Sequence, residues 1–411
     1  MSRVSSMSRP TKSLAASVLV LFLLGACLGS SVAIAAGGQI EADRRIVVFQ
    51  DWFANEARQA ALVRAFGGDA VRSLALVNAQ AAALPPGIEK QLARRAEVLR
   101  IDVDAEVRAL GKPAIPPGLD KKDPPEQPAQ VLPWGVDRID AEYAWAISGG
   151  AGVAVAVLDT GIDRDHPDLA ANIAGGVNFV SKPPWKPVDP SKWDDDNGHG
   201  THVAGIIAAL DNDIGVIGVA PEADLYALKV LDKTGSGYIS QIIAGLEWCI
   251  ANGIDVANMS LGTDADIQSF HDACDEAAAA GVILVAAAGN DGADVDYPGA
   301  YGSVLAVAAT DADDAVPWWS SPGSAVAIAA PGVSVYSAWK GGGYDTSSGT
   351  SMAAPHVTGT LALALAAGVS TNLCATADDL PPPGIDVYTG CGLVDAEEAV
   401  TGTAANGDDL P

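Results

Sequence analysis

The sequence predicts a doubly wound α/β domain with a mostly parallel sheet, preceded by a smaller α/β unit. Three observations predict it. Apolar runs recur beyond residue 150, each continuous rather than alternating, as strands buried on both faces should be. Segments of helical spacing separate them, the pattern of a parallel sheet covered on both sides. A proline-rich charged stretch, "GKPAIPPGLDKKDPPEQPAQ", divides this region from what precedes it and reads as an exposed linker.

In chain order, Arg3, Arg9 and Lys12 precede the apolar run Leu14–Ala26, and Ala33-Ile34-Ala35 offers a small-x-small cleavage site. Residues 1–36 therefore read as a signal peptide. "LLGAC" also resembles a bacterial lipobox at Cys27, so membrane association is expected only through a lipid on that cysteine. Residues 44–110 form the small unit: "RRIVVFQ" and "EVLRIDVDAEV" read as strands, "NEARQAALVRAF" and "PPGIEKQLARRA" as helices. Residues 111–129 are the linker. From residue 130 to 400, "VAVAVLDTGI", "DLYALKVLD", "IDVANMSLG", "VILVAAAGN" and "SVLAVAAT" are the strands. "GTHVAGIIAAL", "ISQIIAGLEWCIAN", "FHDACDEAAAAG" and "TLALALAAG" are helices. Residues 401–411 read as a disordered tail.

The chain has 411 residues, 49% of them apolar, and a formal net charge of −27. That charge argues against nucleic acid or an anionic membrane surface as a partner. Once Cys27 is set aside with the leader, Cys249, Cys274, Cys374 and Cys391 remain, an even number that suggests two disulfides in an exported protein. Cys374 and Cys391 are close enough in sequence to clasp one loop. Four buried thiols are the alternative.

The chemistry collects at the carboxyl ends of the strands, where sites form in such sheets. Asp159 ends "VAVAVLDTGI", His199 opens a helix between Gly198 and Gly200, Asn290 ends "VILVAAAGN", and Ser351 starts the helix of "SSGTSMAAPHVTG". Serine is a poor nucleophile until a base removes its proton, and the base works best when an acid fixes its tautomer. The amide offers a donor to an oxyanion. "VAVLDTGI", "NGHGTHVAG", "AAAGN" and "GTSMAAPHV" resemble the four signature segments of the subtilisin-like serine peptidases, in that family's order.

The resemblance covers roughly residues 128–398. It implies that Asp159 orients His199, that His199 is general base and then acid, and that Ser351 is the nucleophile. Asn290 and the Ser351 N–H would hold the oxyanion. His202 and His356 then read as packing residues. Gly235-Ser236-Gly237 and Ser260-Leu261-Gly262 correspond to edge strands that pair with substrate backbone. Asp296 resembles the position at the base of the family's first specificity pocket, where a carboxylate would favour Lys or Arg before the scissile bond, with Asp291 adding negative potential; an acidic loop facing solvent or binding a cation is the alternative.

The same resemblance implies calcium, held by the side chains of Gln130, Asp168 and Asn212 and the carbonyls of Leu210, Ile214 and Val216. Asp194, Asp195 and Asp196 read as a solvated acidic loop, with a second, weaker ion as the alternative. Residues 44–110 have the size and position of the family's inhibitory propeptide with a ferredoxin-like fold, an intramolecular partner that assists folding of the slow parallel sheet; a permanent accessory domain is the alternative. The processing bond lies within 109–129, and nothing in the sequence fixes which bond it is. The expectation is a secreted, monomeric, calcium-stabilised serine endopeptidase that processes itself. A catalytically dead binding relative and a peptide ligase are the competing functions.

Overall fold

Four antiparallel strands, Asp43–Phe49, Asp69–Leu74, Ala79–Leu84 and Val98–Val103, open the computed structural model, which describes residues 43–113, 127–181 and 189–402. Their sheet order, 69–74, 79–84, 43–49, 98–103, with helices Glu56–Ala65 and Glu89–Leu92 in the crossovers, is the ferredoxin-like arrangement. The run "IVVF" is continuous because both faces of this sheet are covered. Val47 and Phe49 pack on Val63, Leu84 and Leu92 within the unit. Ile46 and Val48 face the other way, into a core shared with Ile242, Leu246 and Phe270 of the larger domain.

Strands 69–74 and 79–84 went unread in the sequence. The second is "AQAAAL", and alanine has little strand propensity. All six of its residues are nevertheless buried, and Asn78, in the left-handed conformation at φ 48°, turns the chain into it.

The larger domain is built on seven parallel strands in the order 326–331, 305–310, 283–287, 256–259, 154–159, 224–229, 173–178. Every strand read from the sequence is present. The additional ones lie at or beyond the sheet margins, including the hairpin Val335–Trp339 with Gly343–Ser348. One layer of helices, His199–Ala208 and Thr350–Ala367, packs on one face with Val155, Val157 and Val307. Ile239–Asn252 and Gln268–Ala279 pack on the other with Leu158, Leu228 and Met259. This is the doubly wound fold. It brings the carboxyl ends of strands 154–159, 256–259 and 283–287 to one rim.

Cys374 and Cys391 form a disulfide. The expected second bridge is absent: Cys249 and Cys274 are buried free thiols. Burial pushes both thiols well above the ordinary cysteine range, so they behave as small apolar core residues. The signal segment with Cys27 lies outside the described residues, as do 114–126 of the linker and 403–411 of the tail. Among the described residues no helix is long and apolar enough to cross a membrane.

Candidate active site

Strand Ala154–Asp159 ends by burying Asp159 completely, and the ring of His199 meets it from the start of the next helix. His199 Nδ1 lies 2.8 Å from Asp159 Oδ1 and 2.9 Å from Oδ2. A carboxylate only accepts, so Nδ1 carries the proton and Nε2 of the neutral ring keeps its lone pair. Burial works against a charged imidazole, but the charge and hydrogen bond of Asp159, with the charge of Asp195, outweigh it and raise the His199 pKa above its ordinary value. Gly200 is required beside the ring, since a Cβ there would stand 2.1 Å from the Gly161 carbonyl oxygen.

Ser351 sits in the first turn of Thr350–Ala367, a helix buried from Thr350 through Ala364. Pro355 lies inside that helix and has no N–H for the Ser351 carbonyl. The Ser260 hydroxyl donates to that carbonyl instead, at 2.9 Å. In return the Ser351 hydroxyl donates to the Ser260 carbonyl at 3.0 Å. His199 Nε2 has no hydrogen-bond partner among the described residues. The nucleophile candidate is thus hydrogen-bonded to Ser260 rather than to the base candidate.

Asn290 is oriented by Thr350, whose N–H and hydroxyl both donate to Oδ1 at 2.9 Å. The amide Nδ2 is thereby aimed outward, and it donates to the carbonyl oxygen of Leu110. Gly349 must be glycine for the same reason: a Cβ there would stand 2.4 Å from that oxygen. The Leu110 N–H donates to the Ser260 carbonyl at 3.3 Å, and that of Ala109 to Gly235 at 2.9 Å. Gly111 then passes so close to the ring that a Cβ would be 2.8 Å from His199 Nε2.

Residues 106–113 therefore thread the rim as an extended strand. Glu106–Ala109 is the central strand of a three-stranded antiparallel sheet between Ser236–Tyr238 and Leu261–Gly262. Beyond the site, Lys112–Pro113 pair with Ser347–Ser348. The start of the expected linker is thus paired strand. Asp296 lies at the wall that holds the Leu110 side chain, since a Cβ on Gly262 would meet Leu110 Cδ1 at 2.7 Å and Asp296 Oδ2 at 2.9 Å. Burial, with the charges of Asp291 and Asp264, raises its pKa to about 6.

The small unit also reaches the two outer helices. The Asp104 carboxylate accepts from Ser240 N and Oγ at 2.9 and 2.8 Å, and Asp102 accepts from Ser269 N at 3.1 Å. Both carboxylates stand at helix N-termini, where backbone donors are unpaired and negative charge is favoured.

The expected calcium ligands also converge. Gln130 Nε2 donates to the carbonyls of Leu210 and Val216 at 2.7 and 3.3 Å, and Asn212 Oδ1 and Ile214 lie in the same loop. Asp168 is fully buried, with Oδ2 accepting from Val216 N at 2.9 Å, Tyr344 and Asn212 beside it, and Oδ1 without a hydrogen-bond partner among the described residues. Burial raises its pKa to about 6. A buried carboxylate oxygen without a partner, beside converging carbonyls, fits a hard divalent cation that takes oxygen ligands.

His202 and His356 are buried, with pKa values lowered by burial to about 3 and about 4, and so are neutral packing residues. The aspartate loop differs from the reading of it as solvated: Asp195 is 8% exposed and carries five hydrogen bonds. The contacts of Asp195, Thr350 and Leu110 with the site were missed in the sequence.

The fold and this rim define a serine peptidase of the subtilase class, and the chain belongs to the subtilase family, whose model matches residues 150–379. It is a serine endopeptidase. It is 37% identical over 386 residues to subtilisin J of Geobacillus stearothermophilus and to subtilisin E of Bacillus subtilis (strain 168), in each case over 90% of this chain and 94% of the relative. It is 47% identical over 280 residues to subtilisin Savinase of Lederbergia lenta, over 66% of this chain and 99% of the relative.

Proposed function

We propose that this endopeptidase is made as a precursor that cuts itself between Leu110 and Gly111. The observation that carries the reading is the lie of that bond: Leu110 O on Asn290 Nδ2, Leu110 N on Ser260 O, and Gly111 against His199 Nε2. Ser351 turns its hydroxyl from the Ser260 carbonyl to His199 Nε2 and attacks the Leu110 carbonyl carbon as His199 takes the proton. Asp159 keeps Nδ1–H in place and stabilises the imidazolium. Asn290 Nδ2 and the Ser351 N–H hold the oxyanion. His199 then gives the proton to the Gly111 nitrogen, which leaves, and water releases Leu110 from Ser351 by the same steps.

Residues 44–110 would then remain as an inhibitor, held by the paired strand 106–109 and by Asp102 and Asp104. External peptides would enter as the same strand, between 235–237 and 260–262. A carboxylate at Asp296 supports a preference for Lys or Arg before the cut bond at pH values above about 6. Calcium held by Gln130, Asp168, Asn212 and the carbonyls of Leu210, Ile214 and Val216 would stabilise the fold by cancelling the buried Asp168 charge. The leader pattern of residues 1–36 supports secretion.

The test is the intact mass of the purified chain beside Ser351→Ala, incubated with calcium. Loss of a fragment ending at Leu110 from the wild type alone supports the reading. Both chains staying whole, or both being cut alike, sinks it.

A further inference from the structure

Behind His199 lies a second buried carboxylate with no part in the mechanism above. Asp195 Oδ1 accepts from the N–H groups of Asn197 and Gly198 and from the Thr160 hydroxyl, each at 2.9 Å. Oδ2 accepts from the Thr201 N–H at 3.0 Å and the Thr201 hydroxyl at 2.6 Å. All five contacts are donors directed at the carboxylate and favour the anion, against burial, which raises its pKa above the ordinary aspartate value. Thr160 joins this group to the pair in front of it: its N–H donates to Asp159 Oδ1 at 2.7 Å while its hydroxyl donates to Asp195 and accepts from Gly200 N at 2.9 Å.

These contacts bracket His199. The histidine stands between Gly198 and Gly200, and neither tolerates a side chain: a Cβ at Gly198 would lie 2.4 Å from the Trp339 ring. Two glycines around a base leave its backbone free to wander unless something else fixes it. The N–H groups of Gly198 and Thr201 are held by Asp195, and that of Gly200 by Thr160. No side chain of the Gly198 cap position itself does this work.

We propose that Asp195 is a positioning residue for His199: it fixes the first turn that carries the base and supplies a second negative charge to the imidazolium formed when Ser351 loses its proton. The proposal rests on the reading of His199 as the base. The other charged groups facing this cluster are already matched. Lys229 Nζ lies 2.6 Å from Asp196 Oδ1 and also donates to the Thr160 carbonyl. Arg164 lies 3.6 Å from Asp194. His202, one turn into the same helix, opposes a charged His199 but is itself neutral. Asp159 acts in the same sense as Asp195.

The test compares Asp195→Asn with the self-processed wild type, normalised by active-site titration, with kcat/KM followed across pH. The expected result is an acid limb displaced downward by about one pH unit, the scale of one neighbouring charge, and a kcat lowered about 10- to 100-fold at little change in KM. A purely structural role would lower the fraction of titratable sites and leave the limb in place, and an unmoved limb with wild-type kcat overturns the proposal. Should Asp195→Asn not fold, Thr160→Val decides: it cuts the tie but keeps both charges. It should lower kcat about tenfold or more, on the scale of one lost hydrogen bond to a charged group, with the limb unmoved. Wild-type kcat in that variant overturns the proposal. His199→Ala separates the two failures. If that variant stays active the base assignment falls, whereas an inert His199→Ala beside a wild-type Asp195→Asn sinks the positioning role alone.

Discussion

Replacing Gly111 by valine should stall the precursor. A Cβ at this position would stand 2.8 Å from His199 Nε2 and 2.9 Å from Cδ2, against about 3.4 Å for an ordinary contact. The ring cannot retreat by the missing 0.6 Å, because Nδ1 is held by both Asp159 oxygens at 2.8 and 2.9 Å. Met352 Cε, at 3.3 Å, closes another side. The strand must therefore move, and the Leu110 carbonyl moves with it, away from Asn290 and Ser351. A displacement approaching 1 Å in an attack geometry costs about 10² in rate. The assay is a time course of intact mass for precursor in calcium, beside Gly302→Val, where a Cβ meets nothing within 4 Å. The wild type and the control should release a fragment ending at Leu110, and Gly111→Val should do so about 10- to 100-fold more slowly. Unchanged cleavage of the same bond in Gly111→Val, or wild-type cleavage at a different bond, would refute the reasoning.

Three further outcomes are expected. Asn290→Ala should lower kcat by about 10²–10³, the loss known for the corresponding amide in a subtilisin; Thr350→Val should lower it less, since it removes one of two donors to Asn290 Oδ1, and steady-state kinetics on a peptide ester compares them. Chelation should lower the melting temperature, and the loss should deepen as pH rises. The Asp168 pKa is raised in the fold to about 6, so without calcium its contribution is fully present below the ordinary aspartate value and disappears as pH climbs through about 6. Asp168→Asn should melt at nearly the same temperature with and without calcium. Discrimination for Arg over Leu before the cut bond should grow as pH rises through about 6, where Asp296 ionises, and Asp296→Asn should lose that pH dependence. A peptide panel with equal ratios at pH 5 and 8 would count against the pocket assignment.

Much of this was legible in the sequence. The five central strands announced themselves because burial on both faces leaves no polar alternation to obscure them. Asp159, His199, Asn290 and Ser351 stood out because each closes or opens an element at a turn of small residues, and such chemistry tolerates few other residue types there. The second half of the ferredoxin-like sheet was not legible. "AQAAAL" is a strand because of what lies above and below it, and propensity alone does not encode that.

The sequence by itself determined the family and the sheet and pointed to the four candidate site residues, since these depend on residue type and local pattern. Tertiary structure decided the rest. Asp194, Asp195 and Asp196 are the same residue three times over, yet only Asp195 finds Thr160 and Thr201 to satisfy it, and only that one is buried. The spacing of Cys374 and Cys391 already suggested their bridge, but only the fold showed that Cys249 and Cys274 stay free thiols enclosed in apolar packing. The linker offered a score of bonds, and the proposed cut at Leu110–Gly111 rests on contacts with Asn290, Ser260 and His199, all distant in sequence. In each case the deciding energy is that of a buried polar or reactive group, which depends on partners brought from elsewhere in the chain rather than on its neighbours in sequence.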